Sequence, residues 1–126
     1  IVLSLIQITL GSQVRQLIDE IASSLNHMQR NLWIDLVGTT FKIHRSFAIS
    51  LVIINVALFF RNYKLKYRYQ LVNFIFLVVF LEVLSGIILT YFDMLALMQP
   101  IHLIAASLLI LLQISLYFKL QKAKSI

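Results

Sequence analysis

Cysteine is absent from all 126 residues. Disulfides, zinc thiolate sites and iron–sulfur clusters are excluded with it. Proline occurs once and glycine three times, too seldom for a loop-rich or disordered chain. Acidic residues are also scarce, five against eleven Lys and Arg. Soluble-enzyme signatures are missing. There is no Gly-rich phosphate loop, no His-Glu-x-x-His and no nucleophile elbow.

Apolar residues fill the chain instead. Hydrophobic side chains make up 60% of it and the mean hydropathy is +0.90. One soluble core of this length cannot hide so much apolar surface, so the composition predicts a polytopic membrane protein. The formal net charge of +6 then belongs to cytoplasmic loops. A basic, tyrosine-interleaved loop lies between two spans, which is a topology signal, and no nucleic-acid partner is expected.

The expected fold class is all-α, a membrane four-helix bundle. The first helix covers residues 1–14, the second about 40–60, the third about 71–92 and the fourth about 99–118. A span needs about 20 residues, so the first helix is read as truncated. No initiator Met, basic leader region or small-residue cleavage site accompanies it, so it is not a signal peptide. The expectation is a piece of a longer protein. Between the first and second helices, Leu17, Ile21, Leu25, Met28, Leu32 and Leu36 recur at helical steps. They predict an amphipathic helix lying on the outer surface, with Trp33 as an interfacial anchor. A lid over a ligand is the sharper reading of that segment.

Seven of the eleven basic residues fall in two places. One is the loop Arg61-Asn-Tyr-Lys-Leu-Lys-Tyr-Arg68, and the other is the tail with Lys119, Lys122 and Lys124. By the positive-inside rule both are cytoplasmic, with Tyr63, Tyr67 and Tyr69 in the inner headgroup belt. The 15–39 connection and the 93–98 turn then face outward.

Two histidines stand at matching depth in this bundle. His44 and His102 each precede sixteen residues before their apolar runs end at Phe60 and Phe118. At about 1.5 Å per helical residue, both imidazoles lie about 24 Å from the inner face. Two such groups at one level, on two helices, can hold a metal macrocycle from both sides, and haem is the leading candidate. The alternative is two ordinary interfacial histidines, with Pro100 opening the helix that carries the second. Ala48, Ala105 and Ala106 lie one turn below them, either to admit a flat ring or for plain helix packing. Arg45 follows His44 and suits either a haem propionate or a lipid phosphate. His27 reads as a polar-face residue. Glu82 is a lone carboxylate midway along the third helix and is costly there unless protonated or paired. Gln7 is its expected polar partner. Gln7-x-x-x-Gly11 and Glu82-x-x-x-Gly86 suggest two parallel hairpin copies, each giving one axial ligand.

Three stretches together carry a resemblance. They are Gln7-Ile-Thr-Leu-Gly-Ser-Gln-Val-Arg-Gln-Leu-Ile-Asp-Glu20, Ile43-His-Arg-Ser-Phe47 and Gln99-Pro-Ile-His-Leu103. The chain resembles, over essentially its whole length, the C-terminal half of haem A synthase, the cytochrome oxidase assembly enzyme, in a Bacteroidetes-like form. The resemblance implies an eight-helix protein of two four-helix halves that converts haem O to haem A by oxidising a methyl group to a formyl group. It implies His44 and His102 as iron ligands of a haem b. It also implies a bacterial inner membrane location, with the C-terminus in the cytoplasm. The implied partners are membrane lipid, haem, the N-terminal half of the same protein, and haem O synthase or other cytochrome oxidase assembly proteins. The family's N-terminal half carries a glutamate three residues before its first histidine, where this chain has Phe41. That departure assigns the chain to the cofactor half and leaves the fragment inactive alone. Two other readings stay open: a free-standing di-histidine electron-transfer cytochrome, and a haemless membrane scaffold or transporter fragment.

Overall fold

The computed structural model describes residues 1–65 and 69–124. Lys66, Tyr67 and Arg68 of the basic loop lie outside the described residues, so the headgroup expectation for Tyr67 has no structural counterpart. The helices are α1 (Val2–Ser24), α2 (Arg30–Val37), α3 (Thr39–Lys64), α4 (Gln70–Tyr91) and α5 (Met98–Lys124). No strand occurs among the described residues.

Thr39–Lys64, Gln70–Tyr91 and Met98–Ala123 are each long and apolar enough to cross a membrane. At about 1.5 Å per residue, each covers the roughly 30 Å hydrocarbon thickness. Their outer faces carry exposed apolar side chains such as Ile49, Ile53, Phe80 and Leu111. Such a coat is unfavourable in water and matched to lipid.

The four long helices close into a ring. α1 packs on α3, α3 on α4, α4 on α5, and α5 on α1. α3 and α5 therefore stand on opposite corners. Both run in the same direction, because α4 runs antiparallel between them.

Two apolar clusters hold the ring. One lies between α4 and α5, with Val72, Ile75, Val78, Val79, Ala105, Leu109 and Leu116. Val52 and Phe59 of α3 pack against it, and Phe59 stacks on Phe76 with centroids 4.4 Å apart. Asn62 ties α3 to the start of α4: its Nδ2 donates to Tyr69 O at 3.2 Å and its Oδ1 accepts from Tyr69 N at 2.9 Å. This two-bond clamp satisfies a buried amide and fixes the chain on either side of the basic loop. It also takes Tyr69 partly into the first cluster, while Tyr63 is exposed.

The second cluster, Ile18, Ala22, Trp33, Val37 and Met94, caps the opposite end of the bundle. Here the expected boundaries shift. The first helix runs on from residue 14 to Ser24, and the surface segment is divided between the end of α1 and the short α2. Leu17, Ile21 and Leu25 pack inward against the cap core. Met28, Leu32 and Leu36 are exposed, so the expected continuous apolar stripe is broken. The cause is the turn after Ser24. Asn26 adopts φ 50, His27 N donates to Ala22 O at 2.7 Å, and Asn26 N donates to Ser23 O at 3.1 Å. That is a Schellman ending, and it resets the helical phase.

Trp33 and Val37, one turn apart, then form the inward face of α2. Trp33 is 3% exposed, a core residue rather than an interfacial anchor. Its Nε1 donates to Met28 O at 2.9 Å. α4 ends in the same way, with Asp93 at φ 48 and Met94 N donating to Leu89 O at 3.2 Å. Met94 sits in the cap core, and Leu89 packs against that core. Gly38, at φ 64 and ψ −123, makes the bend between α2 and α3 that a side chain would resist.

Candidate functional site: a histidine pair at the capped end

The cap determines which end of the bundle is closed, and both histidines lie just beneath it. His44 is in the second turn of α3 and His102 in the second turn of α5. Because these helices are parallel and diagonal, the rings enter at one end from opposite corners. Their equal counts along the sequence carry over into this arrangement.

Each ring rests on the helix preceding its own span. A Cβ built on Gly11 of α1 would lie 3.2 Å from His44 Cε1, and one built on Gly86 of α4 would lie 3.5 Å from His102 Cε1. One turn before each glycine is a polar side chain. Gln7 Nε2 lies 3.2 Å from His44 Nδ1 and 3.4 Å from its Nε2, and donates to His44 O at 3.2 Å. Glu82 Oε2 lies 3.1 Å from His102 Nδ1. The weak repeat in the sequence is therefore one contact made twice, by α1 on α3 and by α4 on α5.

Two expectations for Glu82 change. Its partner is His102 and not Gln7, which pairs with His44. Its position midway along the third helix also does not place it below the histidines, since it touches His102. Nine residues separate Glu82 from the end of α4, but only four separate Met98 from His102. α4 outruns the start of α5, and the chain folds back through residues 92–97 before α5 begins.

Ser85 is the site residue that the sequence reading missed. It is 3% exposed, its Oγ lies 2.8 Å from His102 Nδ1, and it donates to Glu82 O at 3.0 Å. The pattern Glu82-x-x-Ser85-Gly86 places all three on one helix face, and that spacing was available to find it.

The remaining candidates sit around this pair. Ala105 is buried in the α4–α5 core, with Ala48 and Ala106 partly buried. Arg45 is exposed, its guanidinium 5.9 Å from the ring centroid of Phe41. Phe41 packs against the cap core. His27 is an exposed turn residue, outside the site.

Among the described residues, no group of three or more His, Cys, Asp and Glu is arranged to hold a metal ion. Two imidazoles are too few for a bare tetrahedral zinc, which needs three or four protein ligands. They would suffice for a metal that brings most of its ligands with it. The surroundings fit a flat group of that kind. A glycine adjoins each imidazole, close enough at Gly11 that a side chain would crowd the ring, and Gln7 Oε1 and Glu82 Oε1 are buried without partners.

These features define a class: an α-helical membrane bundle with paired histidines beneath a cap. Within that class, the family model described as cytochrome oxidase assembly protein matches residues 1–114. The chain belongs to the cytochrome oxidase assembly protein family. No curated protein and no solved structure shows significant similarity to it.

The two glycines should respond differently to a methyl group. Replacing a mid-helix glycine by alanine gains about 0.5–1 kcal/mol when the space is free. At Gly86 the 3.5 Å contact is ordinary, so Gly86→Ala should melt at or above the parent temperature. At Gly11 the 3.2 Å contact forces the His44 ring to give way, so Gly11→Ala should melt below Gly86→Ala. Thermal unfolding of both variants in detergent measures this, and the reverse order would contradict the packing described.

Proposed function

We propose that the chain is the haem b-binding, C-terminal four-helix half of a bacterial haem A synthase of the Bacteroidetes type. The full enzyme converts haem O to haem A for cytochrome oxidase assembly. The observation that carries this reading is the doubled contact: two imidazoles on diagonal helices, each backed by a glycine and a polar side chain. Family membership supports it.

In this reading His44 and His102 would hold one haem b iron through Nε2. Bound there, haem b supplies one-electron transfer. The protein's own part is to fix the two rings and keep lipid and water away. Nε2 ligation requires Nδ1 to carry the proton. At His102, Ser85 and Glu82 offer it oxygen acceptors. At His44, the acceptor is Gln7 Oε1, the buried atom without a partner, brought round by a half-turn of the amide. Arg45, next to His44 and exposed, pairs with a haem propionate.

Haem O oxidation needs the other half. This chain offers one histidine pair, and Phe41 stands where the resemblance leads one to expect a carboxylate. The fragment alone is therefore inactive. Its partners are lipid, haem, the N-terminal half, and haem O synthase or other assembly proteins. The protein lies in the bacterial inner membrane with Lys64 and the C-terminus in the cytoplasm, an orientation that the distribution of basic residues supports.

Three measurements follow. His44→Ala or His102→Ala in the full-length protein should abolish the low-spin spectrum of one haem, while Arg45→Ala should lower haem content without changing the ligand set. A bis-histidine signal surviving in both histidine variants would defeat the assignment. Expression of the full gene and of this chain, in cells that supply haem O, should yield haem A by chromatography only from the full gene. Haem A from the chain alone would refute the half-site reading. No haem A from a haem-loaded full-length protein would favour the free-standing cytochrome. A cysteine in place of Lys64 should react with an impermeant reagent only from the cytoplasmic side, and outside labelling would reverse the topology.

A further inference from the structure

The two axial positions are backed by different chemistry. Behind His44 is a neutral amide, Gln7; behind His102 is a carboxylate, Glu82. We propose that Glu82 is a positioning residue for His102, fixing the tautomer that presents Nε2 and making His102 the more electron-donating of two unequal axial ligands. This rests on the haem reading above.

The tautomer follows from the hydrogen bonds. Nδ1 of His102 faces two oxygens, Ser85 Oγ at 2.8 Å and Glu82 Oε2 at 3.1 Å. The Ser85 hydroxyl spends its proton on Glu82 O at 3.0 Å, so towards His102 it presents lone pairs. With Glu82 ionised, both oxygens accept, Nδ1 is the donor and the lone pair lies on Nε2. No hydrogen-bond partner for Nε2 appears among the described residues.

The placement of the carboxylate supports the same assignment. A carboxylate inside an apolar span costs several kcal/mol unless it has a partner. The side chain of Glu82 has one polar partner among the described residues, His102, since its Oε1 is buried without any. No cap, loop or helix end uses it. A carboxylate accepting the far N–H of a metal-bound imidazole fixes the ring and raises its basicity, which favours the more oxidised metal. Gln7, with its amide turned to present Oε1, would accept the same kind of bond without the charge.

The test uses the purified full-length protein and the haem whose signal His102→Ala abolishes. Loss of such an outer partner typically changes metal binding about 10–100-fold. Glu82→Gln should retain low-spin haem but favour the ferric state about tenfold less, a rise in midpoint potential of about 59 mV for a one-electron couple. Glu82→Asp, which keeps the charge on a shorter arm, should lie nearer the parent potential. Ser85→Ala should shift it less than Glu82→Gln. An unchanged potential in Glu82→Gln, or a larger shift in Ser85→Ala, would overturn the proposal while leaving the ligand pair intact. Absence of any bis-histidine haem from the parent protein would remove the ligand reading, and this proposal with it.

Discussion

The contact of each imidazole with a polar side chain and a glycine on the neighbouring helix is the constraint on which this bundle depends. A side chain at Gly11 would crowd the His44 ring, whereas a methyl at Gly86 would make only ordinary contact with His102. The close approach fixes how α1 lies on α3 and how α4 lies on α5. With those two pairs set, the ring closes and leaves the histidine-bearing helices on opposite corners. The same approach brings Gln7 and Glu82 within hydrogen-bonding reach, because each lies one helical turn from its glycine. In the membrane interior, where unpartnered polar groups are expensive, this economy of placement matters.

The cap complements that arrangement. Both helices that contact the histidines, α1 and α4, end in Schellman turns, and both turns feed the Trp33 core. The histidine level is therefore enclosed by apolar packing instead of a loose loop. At the other end, the Asn62 clamp and the α4–α5 core hold the spans together near the basic flanks. The site lies between two firm ends, which suits a group whose geometry must not vary.

Much of this was legible in the sequence, for identifiable reasons. The three spanning helices are long and uniformly apolar, so composition alone gives their positions. The depth match of His44 and His102 survives because α3 and α5 are parallel and both begin at the capped end. Glu82 was misplaced because its depth was counted along α4, an antiparallel helix whose end overshoots the start of α5. Trp33 and the second half of the amphipathic stripe were misread for another reason. A turn at Asn26 changes the phase of the chain, and apolar periodicity continues across such a turn without marking it. Ser85 escaped notice because a serine in a span is ordinary until its neighbours in space are known.

Chemical rescue tests the central claim, that both histidines hold one haem iron, most directly. Replacing His44 by glycine in the purified protein removes the imidazole and leaves a ring-sized space beside Gly11. The account predicts that the low-spin ferric signal of one haem disappears in His44→Gly and returns when free imidazole is added, and that His102→Gly behaves in the same way. A low-spin bis-histidine signal that persists in both glycine variants without added imidazole would contradict it.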